Sequence, residues 1–73
     1  MIKELDIVVL TKNLTRHGLK KGDVGTVVLS HPKGGYEVEF VTLGGDTIGV
    51  VTLKPDDIRL TGKREIPHVR AVA

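Results

Sequence analysis

The sequence predicts an all-β domain, a small five-stranded barrel, and three observations point there. Nine glycines and three prolines in 73 residues interrupt nearly every apolar run before a helix could complete its turns. The runs between them are rich in Val, Leu, Ile and Thr, and none sustains a 3.6-residue period. One of them, "YEVEFVT", alternates cleanly, with Tyr36, Val38 and Phe40 on one side and Glu37 and Glu39 on the other.

Taken in order, Leu5 to Lys12 ("LDIVVLTK") is the first strand, apolar at consecutive positions as in a strand that is strongly bent or buried on both faces. Asn13 to Asp23 is a long first loop, punctuated by Gly18 and Gly22, with Leu14 and Leu19 expected to anchor it to the body. Val24 to His31 is the second strand, and its Gly25 marks a close approach of backbone or a sharp bend. "PKGG" (Pro32 to Gly35) makes a tight hairpin into the third strand, Tyr36 to Thr42. "LGGD" repeats the turn chemistry before the fourth strand, Thr47 to Lys54, where Gly49 suits a barrel corner. "PDDI" (Pro55 to Ile58) reads as one 3₁₀ turn with an Asp bonding nearby amides, and Ile58 to Thr61 as a short closing strand. This is the element order of an SH3-like barrel over residues 1–62, followed by a basic C-terminal tail, 63–73, expected to be loose or ordered by a partner.

Size and composition narrow the function. A domain this small buries only ~60% of its unfolded surface, so its core must be compact. With one Phe, one Tyr and no Trp, that core must be aliphatic. No cysteine is present, which excludes disulfides, thiolate metal sites and cysteine chemistry and fits a cytoplasmic location. The N-terminal apolar run of four residues is too short for a signal peptide, and nothing approaches a membrane span. Charge is polarised: residues 1–33 carry six Lys/Arg against three Asp/Glu, residues 34–57 one against five, and residues 58–73 four against one. The loop "KNLTRHGLKK" gathers Lys12, Arg16, His17, Lys20 and Lys21 with no acid among them. It reads either as a contact surface for phosphate or an acidic partner, or simply as a solvated loop.

The stretches "LKKGDVGTVV" and "YEVEFVTLGGDTIGVVTLKPDDIRL" resemble a family of short bacterial proteins of unknown function, common in cyanobacteria, with the pattern LxxGDxGTVV, a Gly-rich turn, YEVEF and a late PDDLR-like segment. The resemblance spans Leu5 to Leu60 and implies an SH3-like fold, but carries over no catalytic or binding residue. More distantly, "KGDVGTVV" and the following "VEF" are similar to the opening of KOW modules, of the nitrile hydratase beta subunit and of small photosystem I subunits.

Residues able to do chemistry are few. His17, His31 and His68 do not share a spacing that would converge on a metal, so no metal site or cofactor is expected. Asp56 and Asp57 are adjacent and point apart on an extended chain, which suits capping better than catalysis. The glycine pairs sit in turns with no helix behind them, so no phosphate cradle is formed. No small-molecule substrate is expected. Tyr36 and Phe40 cannot line an aromatic peptide groove or a base-stacking platform. Surplus apolar residues remain: Val8 and Leu10, Val41, and the Gly49, Val51, Leu53 side of the fourth strand are expected to face outward.

The leading expectation is therefore a non-enzymatic module that binds a protein partner or forms a homo-oligomer. The alternatives are a KOW-like nucleic-acid binder using the 12–21 loop, sequence-blind and weak, and an accessory or immunity-type partner of a neighbouring gene product.

Overall fold

The computed structural model describes residues 1–72; Ala73, the last residue of the tail, lies outside them. Five strands, β1 (Ile7–Leu10), β2 (Val24–His31), β3 (Gly35–Val41), β4 (Thr47–Leu53) and β5 (Ile58–Leu60), form one antiparallel sheet in the order β4-β3-β2-β1-β5. Two 3₁₀ turns complete it, one in the long loop (Thr15–His17) and one before the last strand (Pro55–Asp57). Both tight hairpins place glycine where the backbone turns left-handed, Gly34 at φ +89° and Gly45 at φ +97°.

The sheet curls around a single core. Val8 and Leu10 from β1, Val27 from β2, Val38 and Phe40 from β3, Val51 and Leu53 from β4 and Ile58 from β5 pack together, with Leu19 closing the cluster from the long loop. Both edge strands send side chains into this cluster, but among the described residues β4 and β5 share no ladder. Gly25 lets this curl happen. A side chain there would collide with Val38 and Phe40 from the neighbouring strand.

The inward faces of β1 and β4 correct the expectation that Val8, Leu10, Val51 and Leu53 point out. Val8 and Leu10 are 0% and 1% exposed, and Val51 and Leu53 are also buried. The exposed apolar residues of these strands are Ile7, Ile48 and Val50, joined by Val24, Val28 and Leu29 of β2 and by Val41 of β3. Strand β1 is shorter than its apolar run because Leu5 adopts φ +73° and bends the chain, while Leu5 N and Asp6 O bond to Val27 of β2. Strand β4 carries one extra residue opposite the Phe40/Val41 step, a bulge at Ile48 beside Gly49.

The second 3₁₀ turn is capped as the sequence suggests: Lys54 N donates to Asp57 Oδ2 at 3.1 Å. Asp57 also takes Lys12 Nζ at 3.0 Å and offers its carbonyl to Thr11 N, tying the end of β1 to the start of β5. Burial pushes the Asp57 carboxyl up, but the Lys54 amide and the Lys12 ammonium outweigh it and hold it below the ordinary aspartate value.

Candidate functional site

The basic loop is a fixed hairpin. Leu14 and Leu19 form a two-way backbone bridge, with N–O distances of 2.9 and 3.1 Å, and Leu19 descends into the core. Between them Thr15–His17 make one 3₁₀ turn that ends on Gly18 at φ +70°. Asn13 Oδ1 accepts from Lys21 N, Gly22 N donates to Leu10 O, and Asp23 Oδ2 accepts from Lys20 N, so both flanks are pinned.

This geometry divides the cations singled out in the sequence. Lys12 is committed to Asp57. Arg16, Lys20 and Lys21 form no ion pair among the described residues and stand exposed with His17 on the same loop. The histidines do not converge: His31 instead bonds Glu37 at 2.7 Å between β2 and β3, and Glu37, also bonded by Thr52, is held below the usual carboxylate range. Among the described residues no group of three His, Asp or Glu is placed to hold a metal ion.

The tail brings a further cation to the loop, and holds it in an ion pair. Arg70 reaches back 47 residues, donating from Nε to Asp23 Oδ1 at 2.8 Å and from Nη2 to Asp23 Oδ2 at 2.6 Å. Nη2 also donates to Gly18 O at 3.0 Å. The bidentate guanidinium holds Asp23 below its ordinary pKa, against the opposing effect of partial burial. Closer to β5, Arg59 grips Glu65 with two 2.7 Å bonds and, with the Gly62 amide, pulls its carboxyl down to about 2.

Held this way, the tail runs across one end of the sheet and encloses a groove of about 290 Å³. Leu19, Val24, Val41, Leu43 and Ile48 form the body side of the groove; Pro67, Val69 and Val72 form the tail side. A second recess of about 330 Å³ adjoins it, with His17, Lys20 and Arg70 in its wall. An apolar trough and a cationic rim therefore lie side by side, which suits a ligand carrying both apolar and acidic groups.

A family model described as a domain of unknown function (DUF4926) matches residues 4–60, β1 through β5 and the turns between them. No curated protein and no solved structure matches the chain. No helix among the described residues is long and apolar enough to cross a membrane.

Proposed function

The chain belongs to this family of unknown function, and from that premise we propose that it is a non-enzymatic binding module that docks an acidic, apolar protein segment at the end of the sheet where the loop and the tail meet. One observation carries the reading: the apolar trough under the tail lies beside Lys20, with Arg16 and Lys21 on the same loop, and among the described residues none of the three cations forms an ion pair. Apolar side chains would enter the trough, while carboxylates would meet the rim.

The same free cations also favour phosphate, so nucleic acid is the second reading. It requires affinity that falls steeply with salt, because phosphate contacts act through counterion release. Fluorescence anisotropy separates the two. A labelled peptide of alternating Glu and Leu, and labelled DNA and RNA, are titrated with the protein at about 50 and 200 mM salt, the range over which phosphate-driven binding collapses. Binding of the peptide at both salts, weakened in Lys20→Ala/Lys21→Ala, supports the protein-binding reading. Binding confined to nucleic acid at low salt replaces it with the second. Flat curves for every probe reject both.

A further inference from the structure

The tail is held to the body by side chains alone. Among the described residues no main-chain hydrogen bond joins residues 66–72 to the sheet or to the long loop. Three side-chain bonds from Arg70, two to Asp23 and one to the Gly18 carbonyl, fasten it. The rest is loose apolar contact: Val69 stays 70% exposed, and about 290 Å³ remains open between tail and body. The tail fills its own seat poorly.

The seat itself is built by the body. Leu10 N donates to Asp23 O and Gly22 N donates to Leu10 O, which fixes the Asp23 backbone against β1. Lys20 N donates to Asp23 Oδ2 at 2.8 Å and Asp23 N donates back to Lys20 O, so a local turn aims the carboxylate. The left-handed Gly18 closes the first 3₁₀ turn and presents its carbonyl to the same guanidinium. Two carboxylate oxygens and one carbonyl thus converge on a planar, forked donor, with the Asp23 side chain only 17% exposed. The apolar trough of Leu19, Val24 and Ile48 adjoins them.

We propose that Asp23, the Gly18 carbonyl and this trough form a receptor site for an arginine-bearing aliphatic segment of a partner protein, with the chain's own tail as its displaceable occupant. The tail displays the pattern that the site accepts: Arg70 on the oxygen acceptors, Val69 and Val72 along the trough. The Arg59–Glu65 clamp anchors the start of the tail, so displacement lifts only the chain beyond Glu65. An incoming segment replaces the bonds of Arg70 with those of its own guanidinium and gains packing by filling the volume that the tail leaves open. This goes beyond the docking reading above. An acidic segment enters beside the tail and meets Lys20, whereas an arginine-bearing one takes the place of the tail and meets Asp23.

Fluorescence anisotropy tests the site on the full chain, with a labelled peptide that copies residues 66–72, "IPHVRAV". Arg70→Glu sets a carboxylate against Asp23 and lifts the tail. The peptide should bind this variant at least several-fold more tightly than the wild-type chain, whose tethered tail competes at an effective concentration on the order of millimolar. Asp23→Asn keeps an oxygen for the Lys20 amide but removes the charged acceptor, and should show no such gain. A peptide with lysine in place of its arginine has the same charge but no fork, and should bind Arg70→Glu several-fold more weakly. Amide NMR spectra confirm that both variants are folded, and in the wild-type chain excess peptide should move the Val69 and Arg70 signals toward coil values. Equal binding by wild type and Arg70→Glu overturns the inference, as do flat curves for both, a gain in Asp23→Asn or indifference to the lysine exchange. A wild-type chain that is dimeric until the peptide is added also overturns it, by assigning the site to the tail of a second copy. The Glu and Leu peptide of the docking test carries no guanidinium, so the two readings fail separately.

Discussion

The ring of Phe40 lies over the bare Cα of Gly25: a Cβ built on Gly25 would stand 2.9 Å from Phe40 Cε1 and 2.6 Å from Val38 Cγ1. Strands β2 and β3 come this close because one residue has no side chain and its neighbour has a flat one. Gly25→Ala must push Phe40 and Val38 aside and also meets the Glu39 carbonyl, a main-chain atom that cannot rotate away. The expected loss is at least ~1–3 kcal/mol, the usual cost of overpacking. Phe40→Ala removes the opposite half of the contact and should cost ~3–5 kcal/mol, much of the stability of a domain this size. Urea denaturation reads both. Combining Gly25→Ala with Phe40→Leu should cost less than the sum of the two changes made singly, because both act on one contact.

The Arg70–Asp23 clasp makes the position of the tail depend on pH. Asp23 has a depressed pKa in the folded chain, so its contribution is complete above the ordinary aspartate range and is lost as pH falls through the depressed value. The Val69 and Arg70 amide signals should therefore hold their folded shifts down to about pH 4, the unperturbed aspartate pKa, and move toward coil values below it. Arg70→Ala should give the coil values already at pH 7 while leaving the β-sheet signals in place. A tail that stays fixed in Arg70→Ala would show that its apolar residues, rather than the clasp, hold it.

Asp57 and Lys12 share one contact but should differ in what their loss costs. Asp57→Ala deprives the Lys54 amide of its cap and should destabilise by about 1 kcal/mol. Lys12→Ala removes only an exposed partner of that carboxylate, 58% accessible, and should cost less than ~1 kcal/mol. Thermal melts in low and high salt check the distinction, since only the ion pair responds to screening.

The same commitment separates the cations in binding. Lys12→Ala should leave capture of an acidic peptide nearly unchanged, whereas Lys20→Ala/Lys21→Ala should weaken it several-fold and flatten its salt dependence. Anisotropy titrations of the variants side by side provide the comparison. Equal losses from Lys12 and from Lys20/Lys21 would mean that the loop acts only through its net charge.

Where the sequence misled, it lacked a marker of phase. The turns were legible because glycine stands where φ is positive, and β3 because Glu37 and Glu39 label its outer face. Strand β1 reads "IVVL", apolar at every position, so nothing in it says which side is wet; Val8 and Leu10 fill the core, and Val9 is buried as well. Strand β4 has the same ambiguity, and its bulge shifts the alternation once more. The loop cations were visible as a group. That Lys12 is paired while Arg16, Lys20 and Lys21 form no ion pair among the described residues depends on Asp57, far along the chain, just as the groove depends on Arg70 finding Asp23 across 47 residues.

Because β1 pairs with β5, with Val8 opposite Leu60 and Leu10 opposite Ile58, the sheet cannot be completed from either end alone. During synthesis the first strand must wait, partly unsatisfied, until nearly the whole domain has left the ribosome. Closing so long a loop exacts its entropy before the last ladder returns any bonds, which places this small domain among the slower, high-contact-order folders. The same neighbourhood of the two ends makes the domain a candidate for circular permutation. A short linker across Val8 and Leu60, with new ends opened in the Leu43–Asp46 turn, would turn this distant strand pairing into a local one.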